Sequence, residues 1–155
     1  MSDQTPTPIE MVELVRKMVE GRDGVMFTAL FAEDGVLEYP FAAPGFPSVY
    51  SGRTAISALV KNMADARHLF DIHDVTATVH ETTDPEVVVA EIEHHGHSHV
   101  TDAPYHAIAL GIIRVRDGKI VHYRDYMNPL AMAELLGRLP DILANLSGSG
   151  TGGGR

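Results

Sequence analysis

The chain has 155 residues, no cysteine, and 21 acidic against 12 basic side chains, for a net charge of −9. That length fits one domain, the missing thiols exclude disulfides and thiolate metal sites, and acidity without a Lys/Arg cluster argues against a nucleic-acid backbone as partner. No apolar run approaches the ~18 residues of a membrane span, and the polar start MSDQTPTPIE carries no basic-then-apolar leader. A cytoplasmic protein acting on small molecules or on another protein is expected.

Thr7-Pro8-Ile9-Glu10 opens a first helix: Thr7 can cap, Pro8 suits the first helical position and Glu10 completes a capping box. Val12, Val15 and Val19 recur at helical spacing until Gly21. Asp23 can cap a short second helix carrying Phe27, Leu30 and Phe31, closed by Asp34-Gly35, and Val36 to Pro40 reads as a strand. Between 41 and 51, Pro44, Gly45 and Pro47 lie among Phe41, Phe46 and Tyr50, a loop apolar enough to act as a lid. A third helix follows Gly52, with Ile56, Leu59, Val60 and Met63 on one side.

From Phe70 the period becomes alternating, and strands are predicted near 71–80, 87–100, 105–116 and 119–127. Asp84-Pro85 marks one turn, and Asp117-Gly118 marks a two-residue hairpin. Asn128-Pro129 caps a closing helix that stops at Gly137. The pattern divides the chain into a flexible N-terminus (1–7), one domain (8–146) and a flexible Gly/Ser-rich tail (147–155). The fold class is α+β, in the order ααβαββββα: a curved antiparallel sheet with helices on one face and an apolar cavity between the layers.

The hairpin supplies a register. If Val115 faces Ile120, Asp125 opposes Leu110, Tyr123 opposes Ile112, and Val121, Tyr123 and Asp125 share a face with His106, Leu110 and Ile112. A carboxylate on such a face loses hydration, its pKa rises, and it becomes a candidate general base. The plainer reading is a rim aspartate bonded to Asn128 or an arginine.

Histidine occurs nine times, four of them in His94-His95-Gly96-His97-Ser98-His99. Alternation puts His95, His97 and His99 on one face and His94 on the other. Same-face histidines can chelate a divalent ion when a second element adds ligands, and Glu93 and His106 could do so in a favourable register. The bland alternative is a half-exposed strand end, and no metal is assigned. Glu38 and Tyr39 enter the apolar loop, so one of them can face the cavity. Arg53 reads as solvated, and His68, His73, His80 and His122 as surface or edge residues.

The stretch from Tyr105 to Pro129, with its strand-Asp-Gly-Lys-Ile-strand-Arg-Asp pattern, resembles the SnoaL-like polyketide cyclases of the nuclear-transport-factor-2-like, ketosteroid-isomerase-like fold. Phe31 to Pro40 and Gly52-Arg53 extend the likeness. Glu81 to Pro85, His95 and Arg124 to Pro129 bring it nearest the phenazine biosynthesis A/B branch. The resemblance implies a cofactor-free homodimer with a cone-shaped barrel. It also implies an enzyme of secondary metabolism, antibiotic biosynthesis included, of the lyase or isomerase kind. In the cyclases an aspartate matching Asp125 removes a proton α to a carbonyl before ring closure. The cyclases' strand histidine falls here at Gly111, their asparagine at Tyr39, and the phenazine branch's helix histidine near Leu59. The expected site is therefore Asp125 and His106 as catalytic groups, with Tyr39, Leu59, Leu110 and Tyr123 around an apolar carbonyl substrate. Its alternatives are an epoxide-opening hydrolase or cyclase, which needs Glu38, Glu93 or Arg114 turned inward, and a non-catalytic hydrophobic-ligand module.

Overall fold

A computed structural model describes residues 4–21 and 26–149. The predicted cap at Asp23 lies outside the described residues.

Helix α1 (Pro8–Glu20) begins as its sequence dictates: the Thr7 hydroxyl accepts the Glu10 N–H at 3.2 Å, and Gly21 ends the helix at φ +75°. The Glu10 carboxylate accepts a hydrogen bond from the Thr7 hydroxyl, a variant of the expected box. Replacing Thr7 with alanine removes this cap and is expected to cost about 1 kcal/mol in chemical denaturation.

The expected second helix is a single 3₁₀ turn, Phe27–Leu30, and the chain extends at once into β1 (Phe31–Glu38). A short strand, β2 (Val49–Ser51), returns from the apolar loop, and α2 (Arg53–Asp65) follows. The four predicted strands are β3 (Phe70–Glu81), β4 (Val87–Ser98), β5 (Ala103–Arg116) and β6 (Lys119–Met127). Asp117 and Gly118 both take positive φ between β5 and β6, as a tight two-residue hairpin requires. Thr5 and Pro6 lie against that turn.

Helix α3 (Pro129–Leu135) is capped by Asn128, whose Oδ1 accepts the N–H groups of Leu130 and Ala131. The chain does not stop there. After Gly137 it forms α4 (Leu139–Ser149), which carries helix through Ser147-Gly148 and past the expected boundary at 146. Asn145 of α4 donates to the Pro44 carbonyl at 2.9 Å and Arg138, just before the helix, sits over the Phe46 ring, so the C-terminal segment packs on the apolar loop.

The six strands form one curved, unclosed sheet in the order β2-β1-β6-β5-β4-β3. The pairing of β1 with β6 is parallel, which makes the sheet mixed where an antiparallel one was expected. Met11, Val12 and Val15 of α1 and Ile56 of α2 are buried in one core with Leu37, Val88, Ala90, Ile113 and Ile120 of the sheet. Leu59 and Val60 pack against that core, as their spacing predicted, whereas Met63 is exposed.

The β5–β6 register differs from the simple hairpin count. Val115 does face Ile120, but Arg114 faces His122, so β6 carries one extra residue at Val121. Such a bulge sharpens the local twist and shifts every later pair by one. Asp125 therefore opposes Gly111, Tyr123 opposes Ile113, and Leu110 opposes Tyr126.

Candidate active site around Asp125

Because of that shift, Tyr123 and Asp125 share the concave face with Gly111 and Ile113, continued across β4 by Ala90 and Val88. Beside the carboxylate the sheet thus presents a glycine and a methyl group. The Tyr123 ring fills the space: a Cβ placed on Gly111 would stand 3.0 Å from the ring and 3.1 Å from its hydroxyl oxygen. The phenol accordingly lies over Asp125's cross-strand partner. Below it, Tyr123 meets Phe27 edge-on at 6.0 Å and stacks with Phe31 at 6.4 Å, which fixes the ring from its inner side.

Asp125 is partly exposed as a residue, yet its Oδ1 is buried with no hydrogen-bond partner. Burial strips water from the charged form and raises its pKa to about 7. The rim reading fails here, since the Asn128 side chain caps α3. Burial also pushes the Tyr39 and Tyr123 hydroxyls up, and the Asp125 charge adds to both shifts. Both phenols are therefore protonated donors within the electrostatic reach of one carboxylate.

Of the two residues entering the apolar loop, Tyr39 takes the inner side, where it packs on the core and meets Tyr50 edge-on at 6.0 Å. Glu38 faces outward and pairs with His122 at 2.9 Å. Tyr50 was expected only as one of the apolar residues of the lid-like loop, because a single residue in the three-residue β2 has no periodicity that would place it beside Tyr39. Arg53 is not freely solvated: its guanidinium donates to the Phe31 carbonyl at 2.5 Å and its Nε is buried.

Two expected site residues lie elsewhere. His106 projects from the outer face of the sheet, half-exposed, stacked on His95 and in contact with Glu93. No sheet curvature brings it to Asp125, because the two occupy opposite faces. Leu110 shares that outer face and is 38% exposed. The bulge at Val121 explains both corrections, since one extra residue inverts which β5 residues accompany Asp125.

His94 is the histidine turned inward. Its Nδ1 meets the Tyr105 hydroxyl at 2.9 Å, and burial, helped by the Arg67 charge, lowers its pKa to about 4. It opposes Ala107, four residues along β5 from Gly111, about 13 Å at strand rise. It therefore lines the far end of the concave face. The exposed histidines behave as expected: His80 pairs with Glu91, and His68 meets the Asp65 carbonyl.

Compared with known protein families, residues 12–123 match the SnoaL-like domain. The chain belongs to the SnoaL-like family. An uncharacterized PhzA/B-like protein of Pseudomonas aeruginosa is 32% identical over 121 residues, 78% of this chain and 84% of the relative. The crystal structure of a candidate isomerase from Bacillus subtilis superposes with a TM-score of 0.73 at 32% identity, covering 84% of this chain and 93% of that one. A candidate polyketide cyclase from Pseudomonas putida shares the fold at a TM-score of 0.62 and 20% identity, covering 83% of this chain and 97% of that one. The SnoaL-like chain thus has the nuclear-transport-factor-2-like fold. Among its described residues no helix is long and apolar enough to cross a membrane.

Proposed function

We propose that this SnoaL-like protein is a homodimeric enzyme of secondary metabolism that removes a proton next to a carbonyl of a mostly apolar substrate. Cyclisation, condensation or isomerisation of the resulting enolate would follow. The observation that carries the reading is the buried, unpartnered Asp125 Oδ1, whose carboxyl has been raised to about 7. A base with its pKa near the working pH combines a useful ionised fraction with real proton affinity.

In this reading Asp125 takes the α-proton, and the enolate oxygen accepts hydrogen bonds from the Tyr39 and Tyr123 phenols. Both are protonated donors held by aromatic packing before substrate arrives, the arrangement that favours charge developing in a transition state. Tyr123 also answers the departure at Gly111. The space left by the side chain missing there is taken by the Tyr123 phenol, a neutral donor in place of an imidazole. Leu59 supplies an apolar wall. Base and donors are all protein groups, so the step needs no cofactor.

The epoxide-opening alternative required Glu38, Glu93 or Arg114 beside Asp125. Glu38 pairs with His122, Glu93 with His106, and Arg114 with Asp84 and Glu86 at 3.0 Å each, all away from the concave face. The carbonyl reading is the better supported.

The direct test is a ¹³C NMR titration of the Asp125 carboxyl carbon, assigned by difference from Asp125→Asn. A midpoint near 7 is expected, with kcat/KM on an enolisable substrate rising through the same pH. A midpoint at or below about 4, the range of an ordinary carboxylate, would remove the base and leave a non-catalytic ligand-binding module as the better reading.

A further inference from the structure

We propose that Glu93, His95 and His106 form a binding site for a divalent first-row transition metal on the outer face of the sheet. Glu93 and His95 are two apart on β4 and so share a face, and His106 on β5 is the direct cross-strand partner of His95. Two neighbouring strands therefore supply the three ligands at positions set by backbone register.

The donor atoms converge. His106 Nε2 contacts Glu93 Oε1, His95 Nε2 lies 3.5 Å from that same oxygen, and all three donors fall within 4.8 Å of one another. Ligands at metal distances of about 2.0–2.2 Å in a tetrahedron stand about 3.3 Å apart, so small side-chain rotations admit an ion. The two imidazole rings stack, parallel within 2° at 4.3 Å, and the Nε2 atoms of both lie against the Glu93 carboxylate.

The chemistry of the set selects the ion. Two imidazole nitrogens and one carboxylate oxygen suit zinc, cobalt, nickel or copper(II), whereas magnesium and calcium prefer oxygen ligands throughout. Three protein ligands on a half-exposed surface leave at least one coordination position to water.

Among the described residues this is the only group of three such donors close enough to share an ion. The neighbouring histidines are engaged singly, His97 with Asp102 at 3.1 Å and His99 with Asp71 at 2.9 Å. The site lies on the opposite side of the sheet from Asp125, so it stands or falls independently of the proposed proton abstraction.

The test uses the full chain, without a purification tag and stripped of metal by chelation. Zn²⁺ is followed by equilibrium dialysis and Co²⁺ by its visible d–d absorption. One saturable equivalent per chain is expected, together with Co²⁺ bands of a four- or five-coordinate ion. Glu93→Gln and His106→Asn should each weaken Zn²⁺ binding by about 100-fold or more. The double variant His97→Asn/His99→Asn and Asp125→Asn should bind as wild type does. Circular dichroism checks that each variant folds, and all the altered side chains but Asp125 lie at the sheet surface. The proposal is overturned if no saturable Zn²⁺ uptake appears below about 100 μM. It is equally overturned if binding survives His106→Asn and disappears in the His97/His99 variant.

Discussion

Asp125→Asn is expected to make the protein more stable and less active at the same pH. A carboxyl whose pKa is about 7 in the folded chain and 3.8 in the unfolded one binds more protons folded than unfolded between those limits. Its favourable contribution is fully present below the unfolded value and is lost as pH rises through the folded one. Wild type and variant should differ little below about pH 4, diverge through pH 4–7, and differ by up to about 4 kcal/mol above pH 7. Denaturant unfolding across that range reads the divergence directly. Turnover should meanwhile fall by about 10²- to 10⁴-fold, the usual contribution of a positioned base. Exchange of the substrate α-proton for deuterium measures that loss separately from later ring closure. A variant that gains stability yet retains turnover within about threefold would leave Asp125 buried and strained with another group acting as base.

The second large effect is structural. Gly96 sits among four histidines, but its importance comes from the backbone around it. A Cβ there would overlap the Asp71 carbonyl oxygen and come within 2.8 Å of the Tyr105 ring. Asp71 belongs to the β3–β4 ladder, beside the irregularity between Ile72 and Asp74, so its carbonyl has little freedom to retreat. Overpacking of this kind typically costs 1–3 kcal/mol and occasionally more, and here the neighbour is main chain, so about 3 kcal/mol is expected for Gly96→Ala. For a chain of this size the melting temperature should fall by about 6–12 °C. The same glycine lets Tyr105 lie close over β4, where its hydroxyl reaches His94. Gly96→Ala should therefore also break that hydrogen bond, visible as a changed His94 imidazole resonance in the folded fraction. Unchanged stability and an unchanged resonance would show that the sheet relaxes around the methyl group.

The fold is legible in the sequence where local chemistry is sufficient. Thr7, Pro8 and Gly21 delimit α1 because capping oxygens, proline's fixed φ and glycine's left-handed φ act within one turn. Asp117-Gly118 marks the last hairpin for the same reason. The alternation in β4 correctly separated His94 from His95, His97 and His99, since that pattern needs only an extended backbone. Segments whose state depends on distant partners carry no such local signal. Phe27 to Phe31 carries a helix-like spacing, but Phe31 pairs with Ile120, 89 positions on in the chain, so only a 3₁₀ turn forms before β1 begins at Phe31. Helix α4 follows a glycine and contains Pro140, yet its first turn tolerates that proline and the Asn145 contact with Pro44, beside that of Arg138 with Phe46, gives it a partner.

The candidate site divides in the same way. By itself the sequence determined that Asp125 lies on a sheet face among apolar residues and Tyr123, and that one of Tyr39 and Glu38 faces inward. Alternation and a tight turn fix those facts from nearest neighbours. Only the tertiary structure decided that Gly111, with the Tyr123 phenol over it, stands opposite Asp125, and that His106 and Leu110 belong to the outer surface. The cause is one residue, Val121, inserted as a bulge. Its position reflects the twist that β6 needs to pair with β5 on one side and β1 on the other, and a balance of forces across three strands leaves no mark in the local pattern of any one of them.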